Sequence, residues 1–419
     1  MMSQTPYDAL MADVAEKYPY FTIRGLSSAD WSALVAANKS AADSAATRDA
    51  FIQAATPALA RLRDVHVYWT TAGGTYVAGT HSEAISFAPV AVVVGPHAQT
   101  PINFATSWFQ SFTSRSLSNT YQSVYRYQGS PFFVMGTLAS GLNTYAYIEL
   151  YSLAMDDSVW GELHPRIVQA TREVDGFLFD LRLNTGGNEV YAKRVAQLFA
   201  SSDTAYSQVR YRNGASFDAF GAWQSISITA SSGCVYTAPV AVLTSEACMS
   251  SCEAMALMFK QLPQAKLVGQ RTRGASANPS PFKVSDALDL SLVYSRWQRA
   301  DVQGTVIEGT GIAPDVAVAA LPGAVTASSQ ALWAQASLDA ALAHLDATAD
   351  GTGKCTAPDS SDGTAVIAGA IGGTLGGLLV VVLGVIIYRR HRGRCRREGA
   401  GGNDTLFERG NGSQVATNA

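Results

Sequence analysis

Ser250 and Ser251 stand between Cys248 and Cys252 in the stretch ACMSSCEAMALMFK, residues 247–260, directly before a run of helix formers. A serine at the amino end of a helix has free main-chain N–H groups and the positive end of the helix dipole beside it. Given a base to take its proton and donors to hold the resulting oxyanion, such a serine can attack a carbonyl carbon. The same spacing also describes a plain helix start, with Glu253 completing a capping box from Ser250. Taken alone, the stretch leaves both readings open.

Three other stretches carry residues suited to that chemistry. DLRLNTGGN, residues 180–188, ends an apolar run in the adjacent glycines Gly186 and Gly187, where a backbone can turn sharply and present an N–H to a ligand. RLRDVHVYW, residues 61–69, places His66 where a helical pattern gives way to an extended one. IEGTGIAPDVAV, residues 307–318, places Glu308 before a turn rich in glycine and proline. Singly, each has an ordinary structural reading: a tight turn, a satisfied histidine, a solvated loop carboxylate.

As an ordered set the stretches resemble the tail-specific, or C-terminal-processing, serine peptidases, and among them the tricorn-core branch. The matching elements are LRDVH, GFLFDLRLNTGG, APVAVLTSEACMSSCEAMA, LVGQRTRG and EGTGIAPDV, and the likeness runs over about residues 10–345, strongest over 174–318. The resemblance implies Ser250 as nucleophile and the N–H groups of Gly187 and Ser251 as the oxyanion hole. It offers two kinds of base. The lysine of a serine–lysine dyad is replaced here by Ala275 in RTRGAS, which closes that route. The tricorn-like base falls on His66 and its carboxylate partner on Glu308, although Val65 stands where tricorn has a further serine. An imidazole with an ordinary pKa near ~6.5 suits proton shuttling at neutral pH. Lys283 is a remote alternative base, and Asp180 and Arg182 read as buttresses of the glycine turn. The implied activity is peptide-bond hydrolysis on polypeptide substrates, with a catalytically silent, ligand-binding relative as the rival reading.

The elements that must position these residues follow from periodicity. Residues 1–63 read as a helical segment, with apolar positions at helical spacing and Ser or Thr starts. Residues 64–154 read as β-rich, in VHVYWTT, TYVAGT, APVAVVVG, SPFFVMGTL and TYAYIELYSL. From 155 to 345 helices alternate with continuous apolar strands, the pattern of strands covered on both faces. The expected fold class is α/β, and the resemblance makes it a crotonase/ClpP-like catalytic core.

Beyond residue 345 the composition changes. A small, polar stalk over 346–363 leads to 364–388, an uncharged run long enough to span a bilayer, followed by the basic run RRHRGRCRR and a polar tail to 419. The positive-inside rule puts that tail in the cytosol and the catalytic region outside or in a lumen. Glycines at four-residue spacing in the span offer a contact for a second copy, a homo-oligomer. No signal peptide is visible at the amino terminus, and a missing start is the expectation that fits export. Cys234, Cys248, Cys252 and Cys355 then permit two disulfides in three connectivities, while Cys395 lies on the cytosolic side. A net charge of −3 over 419 residues gives no reason to bind nucleic acid, and no zinc spacing, EF-hand or P-loop suggests a metal or cofactor.

Overall fold

A computed structural model describes residues 4–80, 83–87, 90–94, 117–127, 130–319 and 327–355. The expected membrane span and tail lie outside these residues. Among the described residues no helix is long and apolar enough to cross a membrane, and no His/Cys/Asp/Glu group is placed to hold a metal ion. The described residues form one compact unit.

Three helices open the chain: α1 (Pro6–Lys17), α2 (Ser28–Asp43) and α3 (Arg48–Ala60). Each begins at a hydroxyl cap, Thr5, Ser27 and Thr47, and Ser27 forms a full capping box with Asp30. The β-rich region supplies β1 (Tyr68–Thr70), β2 (Tyr76–Gly79), β3 (Glu83–Phe87), β4 (Val90–Val94), β5 (Leu117–Tyr127), β6 (Ser130–Ser140) and β7 (Asn143–Leu150). The alternating part follows as α4 (Asp157–Glu173), β8 (Gly176–Asp180), α5 (Glu189–Gln197), β9 (Thr204–Tyr211), β10 (Gln224–Ile228), β11 (Val240–Thr244), α6 (Ser251–Lys260) and β12 (Ala265–Gly269). Then come β13 (Ser280–Ser285), β14 (Leu290–Tyr294), β15 (Trp297–Ala300), β16 (Val316–Ala317) and the closing helix α7 (Ala327–Thr348).

The central sheet has the order β16-β12-β11-β8-β7-β6-β5. From β7 to β16 the neighbours run parallel, and β6 and β5 add antiparallel hairpins at one edge. It crosses the boundary expected at residue 155, so the β-rich region and the α/β region share one sheet. The two-sided burial expected of continuous apolar strands is present: all five residues of β8 and of β11 are buried. Phe177, Phe179, Val240 and Val242 pack on one face with Val159, Leu163 and Ile167 of α4, Val195 of α5 and Met255 and Phe259 of α6. Leu178, Ala241 and Leu243 face the other way, onto Leu338, Ala341 and Leu345 of α7.

A second core joins distant parts of the chain. Tyr7, Leu10, Trp31 and Phe51 of the first three helices pack with Trp69, Leu290, Leu292 and Tyr294. The last four belong to the antiparallel sheet β13-β14-β1-β2. That sheet and its helices carry the His66 loop to the Ser250 turn. The Cys234–Cys355 and Cys248–Cys252 disulfides resolve the connectivity the sequence leaves open.

Candidate active site

Ser250 occupies the junction where β11 hands over to α6. Its φ is +56° and its ψ −127°, and its side chain caps nothing. An L-residue held there is strained by about 1–3 kcal/mol, which the surrounding contacts must offset. They do so at the backbone: Ser250 N–H donates to the Ala275 carbonyl at 2.6 Å and Arg273 N–H to the Cys248 carbonyl at 2.9 Å. The disulfide between Cys248 and Cys252, both fully buried, closes a short loop around the serine.

The capping-box reading fails here. Glu253 turns away from the cap and accepts from Thr272 Oγ1 and Gly274 N–H at 2.6 Å and from Ala275 N–H at 2.9 Å. Burial raises its carboxyl above the usual range, against the pull of these donors and of His66. The Ser250 hydroxyl has no hydrogen-bond partner among the described residues.

The glycine turn after β8 lies directly against that serine. A Cβ on Gly186 would stand 2.7 Å from the Ser250 Cβ, and one on Gly187 would stand 2.0 Å from the Ala154 nitrogen. Their φ values of +101° and +140° admit glycine alone at low cost. Ser251 Oγ donates to the Gly187 carbonyl at 2.7 Å and locks the two turns together. Among the described residues the Gly187 and Ser251 N–H groups have no protein acceptor. Both line, with Ser250, a cleft of about 700 Å³ whose charged walls are Glu189, Lys193 and Arg299. The cleft opens at the carboxyl ends of parallel strands, the usual place for a ligand in such sheets. Asp180 and Arg182 form a buried pair at 2.9 Å (Nε to Oδ1) under this turn, and Ser245 Oγ reaches the Arg182 carbonyl at 2.5 Å.

His66 and Glu308 are both buried beside the site, and neither lines the cleft. Val65, next to His66, packs with Ala247, Met249 and Ala275, which brings the histidine loop onto the Ser250 turn. His66 makes no hydrogen bond to Ser250 or to Glu308 among the described residues, and its buried Nδ1 has no hydrogen-bond partner. Glu308 instead accepts from Arg24 Nη2 at 2.5 Å and from Ser276 N–H at 3.2 Å. The expected Glu308–His66 contact is therefore not made; the reason is the Arg24 guanidinium, which arrives from the loop after α1 and draws the carboxylate to itself. Lys283, on β13, is more than half exposed and paired with Asp286.

Asp64 was not among the residues singled out from sequence, although it lies inside the LRDVH stretch. It is fully buried, and its Oδ1 stands 3.6 Å from His66 Nδ1. Burial opposes its charge, but the neighbouring His66, then Arg24 and the Ser295 hydroxyl, hold it well below the usual carboxylate range. Glu308 goes the other way: burial, then the Asp64 charge, push its carboxyl well above that range despite Arg24. The two buried carboxylates are thus shifted in opposite directions, with Asp64 accepting from three donors and Glu308 from Arg24 and Ser276. Arg24 and Arg299 had no local sequence signal, because each is defined by a partner far along the chain.

Residues 144–318 match the family model described as Peptidase family S41. Over 141 residues the chain is 29% identical to the carboxy-terminal processing protease CtpA of Bacillus subtilis (strain 168), a match covering 34% of this chain and 28% of that relative. The chain thus spans little more than a quarter of that curated relative. Among solved structures, a protein of Parabacteroides merdae ATCC 43184 described as a candidate peptidase superposes with a TM-score of 0.57 at 19% identity, over 82% of this chain and 97% of that one. Mature CPAF complexed with lactacystin gives a TM-score of 0.54 at 10% identity, over 81% and 98%. A lipoprotein from Streptococcus agalactiae gives 0.52 at 15%, over 82% and 98%. At these identities the likeness is one of fold.

Proposed function

We propose, on the premise that residues 144–318 form a peptidase family S41 domain, that the chain is a serine endopeptidase that hydrolyses polypeptides by acyl transfer. The observation that carries the proposal is Ser250: an unengaged hydroxyl on a strained strand-to-helix turn, facing a cleft with two unused main-chain N–H groups. Ser250 Oγ attacks the scissile carbonyl carbon and gives its proton to His66. The Gly187 and Ser251 N–H groups receive the oxyanion, a term of about 3–4 kcal/mol per donor where one has been removed in other enzymes. His66 returns the proton to the leaving amine, and water repeats the cycle on the acyl-enzyme. Substrate binding must bring the imidazole within hydrogen-bonding reach of Ser250, a closure familiar from unliganded sites.

We further assign residues 364–388 to a single membrane span with the catalytic unit outside the cytosol. The support is compositional: an uncharged run followed directly by a basic one.

Ser250→Ala tests the proposal. Its side chain makes no cap bond, so the variant should keep the wild-type melting temperature within a few degrees while peptide hydrolysis is abolished. Hydrolysis near the wild-type rate would remove Ser250 as nucleophile.

A further inference from the structure

The partner of His66 is the open position in the site. Nδ1 of this imidazole is buried without a hydrogen bond, and Glu308, the carboxylate expected there, is engaged by Arg24 and Ser276. Asp64 Oδ1 stands 3.6 Å from Nδ1. A small rotation of the ring that shortens this gap to about 2.9 Å completes an N–H···O bond.

Asp64 is itself held rigidly. Its carboxylate accepts from Tyr18 Oη at 3.1 Å, from Ser295 Oγ at 2.6 Å and from the His66 main-chain N–H at 2.8 Å. Tyr18 closes α1 and Ser295 follows β14, so the second core fixes the carboxylate from two sides. The other titratable or charged groups around the pair include Arg24, Glu308 and Tyr20, and Glu253 of α6 on the Ser250 side.

We propose that Asp64 is the positioning residue for His66: it binds Nδ1–H, fixes that tautomer and leaves the Nε2 lone pair for the Ser250 hydroxyl. Glu308 then serves one layer out, bridging Arg24 to the 274–276 segment that carries the Ala275 carbonyl. The proton path is short. Ser250 Oγ–H passes its proton to Nε2, the imidazolium keeps its Nδ1–H on Asp64, and the Asp64 charge stabilises it without taking the proton. The inference rests on the serine-peptidase reading for its catalytic consequence but not for its structural content.

Ring-nitrogen NMR on the full chain separates the two. The His66 signals are assigned by their loss in His66→Ala and recorded at pH about 8, where an ordinary imidazole is neutral. The wild type should show Nδ1 protonated and Nε2 free. Asp64→Asn should shift His66 toward the Nε2–H tautomer and lower kcat by about 10³-fold or more with KM little changed. Glu308→Gln should leave the tautomer as it is. A wild type with Nε2–H, or a tautomer that moves in Glu308→Gln and not in Asp64→Asn, overturns the proposal; the wild-type spectrum decides even if Asp64→Asn fails to fold. Should the tautomer behave as stated in a protein without peptidase activity, Asp64 keeps its role and the functional reading is the part that fails.

Discussion

Ser250, Gly186 and Gly187 show how a few residues in unfavourable conformations make a reactive surface. Each has a positive φ, and each is held by neighbours that leave little room: the serine by Ala275, the glycines by Ser250 and Ala154. What they gain is alignment, with a hydroxyl and two N–H groups converging on one cleft. The two buried carboxylates behind them are shifted in opposite directions, and this gives a pH signature in stability. Asp64, lowered in the fold, contributes stability that is present above the ordinary aspartate value and lost as pH falls through its native one. Glu308, raised in the fold, contributes stability present below the ordinary glutamate value and lost as pH rises through its native one. Glu308→Gln has no such loss. Its melting temperature relative to wild type should therefore climb between about pH 4 and pH 8. A difference that stays flat or falls over that range would mean that Arg24 keeps Glu308 ionised in the fold.

At the scale of elements, the β11–α6 turn is held by the Cys248–Cys252 disulfide on one side and by Glu253 with the 272–275 segment on the other. Replacing both cysteines with serine leaves the Glu253 contacts in place but frees the turn. A displacement of even 1 Å at a reacting group can cost about 10²-fold in rate. The double variant should lose about tenfold to a hundredfold in kcat/KM, with Glu253 still bound in its crystal structure. Unchanged kinetics would assign the turn's geometry to Glu253 alone. The elements that build this region were legible in the sequence because their patterns are local. β8 and β11 are unbroken apolar runs, and α6 is a run of strong helix formers. β9, β10 and β13 were missed: they are largely polar strands outside the main sheet, with exposed or half-buried positions that show no clean period. Ser250, His66 and the glycine turn could be found by order and spacing along the chain. Their mutual contacts could not: that Glu308 meets Arg24, 284 residues away in sequence, is settled only by how the first helices dock.

For the whole molecule, the first three helices are part of the site rather than an appendage. Their core with the β13-β14-β1-β2 sheet places Tyr18 on Asp64, beside His66, and Arg24 on Glu308. The disulfide from Cys234 to Cys355 ties the end of the compact unit back to its body. If residues 364–388 anchor it with the basic run inside, a protease added to intact cells should digest the catalytic unit and spare the tail. Protection of residues 1–355 with loss of the tail would reverse the orientation.

An active-site serine should react as one. A fluorophosphonate incubated with the purified protein should form one stable adduct, mapped by peptide mass spectrometry to Ser250. The labelling rate should drop by about 10³-fold in His66→Ala, because the hydroxyl then has no base. A folded protein that takes up no label, or takes it up at a serine outside the cleft, would contradict the account.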